Sequence, residues 1–145
     1  ERVSHAVAAA RSLPFPFVIT ARAENFLYGR ADLEDTIRRL QAYAQAGADV
    51  VYSPGLPDAD AIREVCKRVQ APVNVLVGRP PFPSVTELGQ LGVRRISFGS
   101  LLPRIAFASV LRVAQEIHEE GTFSRITEAI PYAEVNQLMS PEPRH

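Results

Sequence analysis

Much of what marks a specialised chain is missing from these 145 residues. There is one cysteine, Cys66, set in the helical pattern AIREVCKRV. Neither a disulfide framework nor a cysteine-based metal site can therefore form within one chain, and a reducing cytoplasm is the expected location. Sixteen Lys and Arg balance sixteen Asp and Glu. That leaves no net field to draw nucleic acid or an anionic membrane, and neither is expected as a partner. No apolar run approaches the ~20 residues of a membrane span, and the N-terminus lacks the charged, apolar and small-residue succession of a signal peptide. The three histidines, His5 and His118 in helical patterns and His145 in the tail, have neither metal-site nor triad spacing. No Gly-rich dinucleotide fingerprint follows any of the expected strands.

What is present is an alternation of strand and helix. After an opening helix in ERVSHAVAAARSL, the apolar run PFPFVIT predicts a strand buried on both faces. DLEDTIRRLQAYAQAG then sets Leu33, Ile37, Leu40, Tyr43 and Ala44 at helical spacing, with Gly47 as its stop. ADVVYSPG reads as the second strand, and DADAIREVCKRV as a helix with Ile62, Val65, Cys66 and Val69 on one face. APVNVLVG is the third strand, and SVTELGQLG a short helix in which Ser84 and Glu87 have capping-box spacing. VRRISFGS is the fourth strand, followed by a helix from about Leu102 to Glu120 that stops at Gly121. SRITEAIPYAEVNQLM is a candidate last helix before the PEPRH tail. Glu1 falls inside a pattern that already reads as mid-helix, so a preceding segment is expected.

This alternation predicts right-handed crossovers and a parallel sheet. Two architectures satisfy it, a small open doubly wound sheet or four consecutive units of a (β/α)8 barrel, and whole barrels typically need about 250 residues. In both, ligands bind at the C-terminal ends of the strands. Those ends collect Arg22, Glu24 and Asn25; Ser53, Pro54 and Gly55; Asn74 and Gly78; and Ser97, Gly99, Ser100 and Arg104.

The stretch VITARAEN ends an apolar run in two opposite charges. Arg22 suits the holding of a carboxylate or phosphate, because guanidinium is a planar fork of donors that keeps its charge when partly desolvated. Glu24 is then its partner or its orienter, or the two simply neutralise each other. Asn74, between valines, needs partners whether it meets a ligand or not. SFGSLLPR carries Gly99 and Ser100 into a helix start, where backbone N–H groups can receive an anion or merely make a turn. Asp32, Glu34 and Asp35, like Asp58 and Asp60, suit helix starts. Cys66 reads as a packed small apolar residue, and the prolines of RPPFP as loop stiffeners or a pocket wall.

Taken in order, PFVITARAENFLYG, AQAGADVVYSPG, PVNVLVG and LGVRRISFGS resemble the isocitrate lyase and phosphoenolpyruvate mutase superfamily, above all its carboxyphosphonoenolpyruvate phosphonomutase-like members. The resemblance implies an α/β fold, the second half of a (β/α)8 TIM-type barrel: residues 1–121 would run from its fourth helix through strands five to eight, and 122–145 would be a C-terminal helical segment and tail. It also implies chemistry on small 2-oxo or 2-hydroxy acids with Mg2+, by C–C cleavage or by movement of phosphorus through an enolate. Arg22 would bind the substrate's anionic group, with Glu24 and Asn74 beside it and Gly99 and Ser100 as further contacts. No catalytic residue is assigned. Where lyases of the superfamily carry a glutamate and the mutase a histidine, this chain has Pro54. The superfamily's Mg2+ ligands and mobile catalytic loop have no counterpart here, so no metal ligand is assigned within the chain. A small carboxylate or phosphonate is the expected partner, and self-association into a homo-oligomer is expected because four strands leave open edges. Two further readings remain at this level: a catalytically incomplete half-barrel that folds or acts only by self-association or by docking to a separate first half, and a small flavodoxin-like module using SFGS for phosphate.

Overall fold

The computed structural model describes residues 1–78 and 80–140. The chain divides into two compact units, Glu1–Gly99 and a second that begins at Ser100.

In the first unit α1 (Arg2–Arg11), β1 (Thr20–Arg22), α2 (Leu33–Gln45), β2 (Val50–Tyr52), α3 (Ala59–Arg68), β3 (Val73–Leu76), α4 (Val85–Gln90) and β4 (Arg95–Ser97) follow in turn. The four strands pair in parallel in the order β1-β2-β3-β4. A doubly wound sheet reverses its strand order at a switch point. This sheet does not, so the open doubly wound and flavodoxin-like alternatives fall away and the barrel-type arrangement stands.

Local chemistry sets the helix starts. Asp32 accepts from the Asp35 N–H at 2.9 Å and Asp58 from the Ala61 N–H at 2.8 Å. Ser84 and Glu87 complete the capping box their spacing predicts, the Ser84 N–H donating to Glu87 Oε2 at 2.7 Å. Gly47 ends α2 at a φ of +92°, and a Cβ there would sit 3.0 Å from Val7 Cγ1 of α1. Only glycine gives both the left-handed backbone and that close approach.

Ile37 and Leu40 of α2, Ile62 and Val65 of α3 and Leu88 of α4 pack with Ala21, Val51, Val73 and Val75 of the sheet into one core. Arg68 of α3 pairs with Glu34 of α2, Nη2 lying 2.8 Å from Oε2. Asp49 joins the N-terminal side: Arg11 Nη2 donates to Oδ1 at 2.5 Å, and the Ile19 N–H to Oδ2 at 2.8 Å.

The first strand is shorter than PFPFVIT predicts. Sheet hydrogen bonding starts only at Ile19, whose carbonyl accepts from Val50 N–H at 3.1 Å. Phe15, Phe17 and Val18 are exposed, and Pro14 and Pro16 have no N–H to offer a ladder. Apolar composition alone does not make a strand where alternate donors are missing.

The second unit holds α5 (Leu101–Glu120), a 3-10 turn (Ser124–Glu128) and α6 (Tyr132–Met139). The candidate last helix is thus two pieces, broken at Pro131, which disfavours helical backbone at Ile130. Gly121 closes α5 at a φ of +65°. Glu116 is buried and organises the turn after it, accepting from Thr122 Oγ1 at 2.7 Å, the Ser124 N–H at 2.6 Å and the Arg125 N–H at 3.0 Å. Among the described residues no helix is long and apolar enough to cross a membrane. His145 and the rest of the PEPRH tail, with Arg79, lie outside the described residues.

Candidate active site

Strand register decides which side chains share a surface. Arg22 pairs with Tyr52, Tyr52 with Asn74 and Asn74 with Arg95. Side chains alternate along a strand and match across it, so these four project from one face in a single row. Their neighbours Ala21, Val51, Val73 and Val75 project from the other face into the core beneath the helices. The face opposite the helices is the inner face of a barrel.

Within the row the groups are tied pairwise. Arg22 Nε lies 2.6 Å from Glu24 Oε1, and its guanidinium carbon 5.4 Å from the centre of the Tyr52 ring. Stacking and ion pairing hold the planar fork in one orientation. Arg95 Nη1 donates to Asn74 Oδ1 at 3.0 Å, and Asn74 Nδ2 donates to Ser97 Oγ at 3.0 Å. Asn74 is only 1% exposed. Its amide is spent on these neighbours, as a buried amide must be. Burial pushes the Tyr52 hydroxyl above its ordinary pKa, with Glu24 adding to the rise and both Arg22 and Arg95 opposing it. Tyr52 therefore lies within the field of both guanidinium groups.

Of the five residues singled out from sequence, Arg22 and Asn74 lie in this row, two strands apart, and Glu24 lies beside Arg22. Gly99, at a φ of +52° and with Leu76 Cδ1 3.4 Å from where a Cβ would stand, ends the first unit. Ser100 opens the second as the N-cap of α5 and makes no side-chain capping bond. Asn25 is taken up structurally, its Nδ2 donating to Asp35 Oδ2 at 2.5 Å. Pro54 is buried just beyond β2, and the hydroxyl of Ser53 beside it is buried without a hydrogen-bond partner. Sequence reasoning missed Tyr52 and Arg95. A faint signal existed, since Arg95 stands two residues before Ser97 in VRRIS and shares its face.

A cleft of about 690 Å3 lies elsewhere, among α3, α4 and their preceding loops around Asp58, Ile62, Phe82 and Gln90. Two acidic groups on its wall, Asp58 and Glu87, are occupied in helix caps, and the cleft has no tie to the row. A second cleft of about 470 Å3 opens beside the end of β1, between Glu24, Tyr28, Arg30 and Arg39.

No group of three His, Cys, Asp or Glu side chains suited to a metal ion occurs among the described residues. Glu24 is the carboxylate next to the row and is held by Arg22; Asp35, farther out, is held by Asn25, Arg38 and Arg39. The acidic groups of this segment do not fit a Mg2+ site, which needs several unpaired oxygen ligands.

Comparison with known proteins follows the same lines. The family model described as phosphoenolpyruvate phosphomutase matches residues 1–118. An uncharacterised protein of Mycobacterium tuberculosis is 33% identical over 120 residues, which is 81% of this chain and 44% of that protein. A 2-methylisocitrate lyase of Aeropyrum pernix is 27% identical over 113 residues, 72% of this chain and 37% of the enzyme. Among solved structures, one of the lyase/mutase class from Burkholderia cenocepacia J2315 is 50% identical with a TM-score of 0.89, covering 97% of this chain and 51% of its own. The chain spans less than half the length of these curated relatives.

Proposed function

The chain belongs to the phosphoenolpyruvate phosphomutase family, and from that premise we propose that it supplies the anion-binding half of the barrel of a lyase or phosphonomutase acting on small 2-oxo or 2-hydroxy acids. The observation that carries this reading is the orientation of Arg22. Its guanidinium is stacked on Tyr52 and anchored by Glu24 on the sheet face away from the helices. A fork so held meets a carboxylate or phosphonate without first losing side-chain freedom.

The chemistry of this segment is positioning. Arg22 receives the acid group, Glu24 and Tyr52 fix the fork, and Asn74 braces the row beneath it. Charge developing on an enolate oxygen is the costly feature of such reactions, and fixed donors near it lower the barrier. The Mg2+ that the family resemblance implies would take its ligands from outside these residues. Cytoplasmic location belongs to the same proposal.

The test is Arg22→Ala in the longest natural chain that carries these residues, assayed for 2-oxoacid release from a panel of 2-hydroxy dicarboxylates and phosphonopyruvate. A fall in kcat/KM of about 100-fold is expected for loss of a bidentate charged contact. Unchanged turnover would sink the assignment.

A second reading, assembly with another copy, is favoured by one feature. Leu102, Ile105, Phe107, Val110 and Leu111 of α5 are all exposed, and a cluster of large apolar side chains of this kind is normally covered. Sedimentation equilibrium decides it: a mass that does not change with concentration and equals one chain would rule out the homo-oligomer.

A further inference from the structure

Resting on that reading of the inner face, we propose that Arg95 is a second anion-binding residue of the site, selecting substrates that carry a second acidic group.

The two arginines of the row differ in their partners. Arg22 is paired with a carboxylate, Glu24. Arg95 is tethered instead by a neutral group, the Asn74 amide oxygen at 3.0 Å, and no carboxylate lies within 4 Å of it among the described residues. An amide orients a guanidinium without neutralising it. Asn74 thus aims the fork and leaves its charge and remaining N–H donors for an anion.

The amide is itself fixed. With Oδ1 accepting from Arg95 and Nδ2 donating to Ser97 Oγ, it has one orientation that satisfies both partners. Ser97 Oγ lies 3.4 Å from the Val75 carbonyl, which ties the chain of contacts to backbone. Such support holds a binding group in place before the ligand arrives.

Arg22 and Arg95 stand on the first and last strands of the sheet, with Tyr52 and Asn74 between them in register. Barrel curvature turns inward-facing side chains of such strands toward one another. Two cations on one inner face suit a ligand with two acidic ends, such as a dicarboxylate or a phosphonate bearing a carboxylate.

The experiment measures equilibrium binding by calorimetry to the longest natural chain, with malonate and oxalate as dianions and pyruvate as the monoanion. Arg95→Gln is expected to weaken both dianions by tenfold or more, as loss of a charge-assisted pair does, and to leave pyruvate within about twofold. Arg95→Lys keeps the charge but loses the fork, so a smaller loss for the dianions alone is expected. Equal loss for pyruvate, unchanged dianion binding in either variant, or a lowered Tm with unchanged dianion binding would overturn the proposal; the last would mark Arg95 as part of a structural pair. Arg22→Gln separates the two ideas. It should weaken all three ligands, and if it weakens none the function proposed above fails while the result at Arg95 stands by itself.

Discussion

The guanidinium of Arg22 stacks 5.4 Å from the centre of the Tyr52 ring, on the adjacent strand and in register with it. Strand pairing brings the two together, and each limits the other's freedom. Tyr52 is buried while Arg22 is exposed, so the ring is a floor on which the cation rests. Tyr52→Leu should leave the fold in place, remove the stacking and weaken anion binding at Arg22 by roughly three- to tenfold, against about twofold for Tyr52→Phe. Calorimetry with pyruvate on the longest natural chain checks this, and equal losses for the two variants would contradict it.

Asn74 lies at the centre of the inner row and is buried. Asn74→Leu removes an acceptor from Arg95 and a donor from Ser97 at once. A loss of about 1–3 kcal/mol is expected, the range for leaving buried polar groups without partners. Urea unfolding of the variant reports it, provided the slope is unchanged. A cost near zero would mean that the amide network does not brace the row.

Glu116 makes the acid response of the second unit specific. Hydrogen bonds from Ser124 and Thr122, aided by the backbone N–H groups of Ser124 and Arg125 and opposed by burial, bring its pKa down to about 2 from an ordinary 4.5. The folded-state pKa is depressed, so the carboxylate contributes stability that is fully present above about pH 4.5 and is lost as pH falls toward 2. Hydrogen exchange at the Ser124 and Arg125 amides should accelerate across that window relative to the intrinsic rate. In Glu116→Gln the amides should be less protected at neutral pH and the acid step should vanish; a step of the same size in the variant would exclude Glu116 as its origin.

Gly47 supplies a steric prediction free of charge effects. Gly47→Ala places a Cβ 3.0 Å from Val7 Cγ1 and forces a φ of +92° on a residue with a side chain. A cost of about 1–3 kcal/mol is expected from the two effects together. Val7→Ala should relieve the contact and leave the backbone strain, so the double variant should recover only part of the loss.

Cys66 should be slow to react. Burial pushes its thiol up to about 11, with Arg94 opposing, so almost none is thiolate at pH 8 and alkylation by iodoacetamide should wait on unfolding. Rapid labelling of the native chain would contradict this.

Much of this fold can be read along the chain because its signals are local. Asp32, Asp58 and the Ser84–Glu87 pair cap the helices they precede, and Gly47 and Gly121 stop the ones they follow. Each device acts within a few residues, so composition and spacing suffice to place it. The charged pair at the end of β1 belongs to the same class: Arg22 and Glu24 are near neighbours in sequence and meet in space. Local order also accounts for the one misjudged strand, since the prolines that break PFPFVIT were visible and were outweighed by its apolar character.

The sequence by itself therefore determined the order of strands and helices, their caps and stops, and the residues at the strand ends from which Arg22, Glu24 and Asn74 were drawn. Tertiary structure decided what those residues face. Whether Asn74 meets a ligand or a neighbour, and whether Arg95 is a solvated strand residue or part of a site, depends on which positions of four separate strands fall opposite one another. Register is fixed by packing of the buried face, by Ala21, Val51, Val73 and Val75 against α2, α3 and α4. A shift of one residue would turn each strand over and dissolve the row of Arg22, Tyr52, Asn74 and Arg95. That information is carried by contacts between residues a whole strand–helix unit apart, which no local pattern reports.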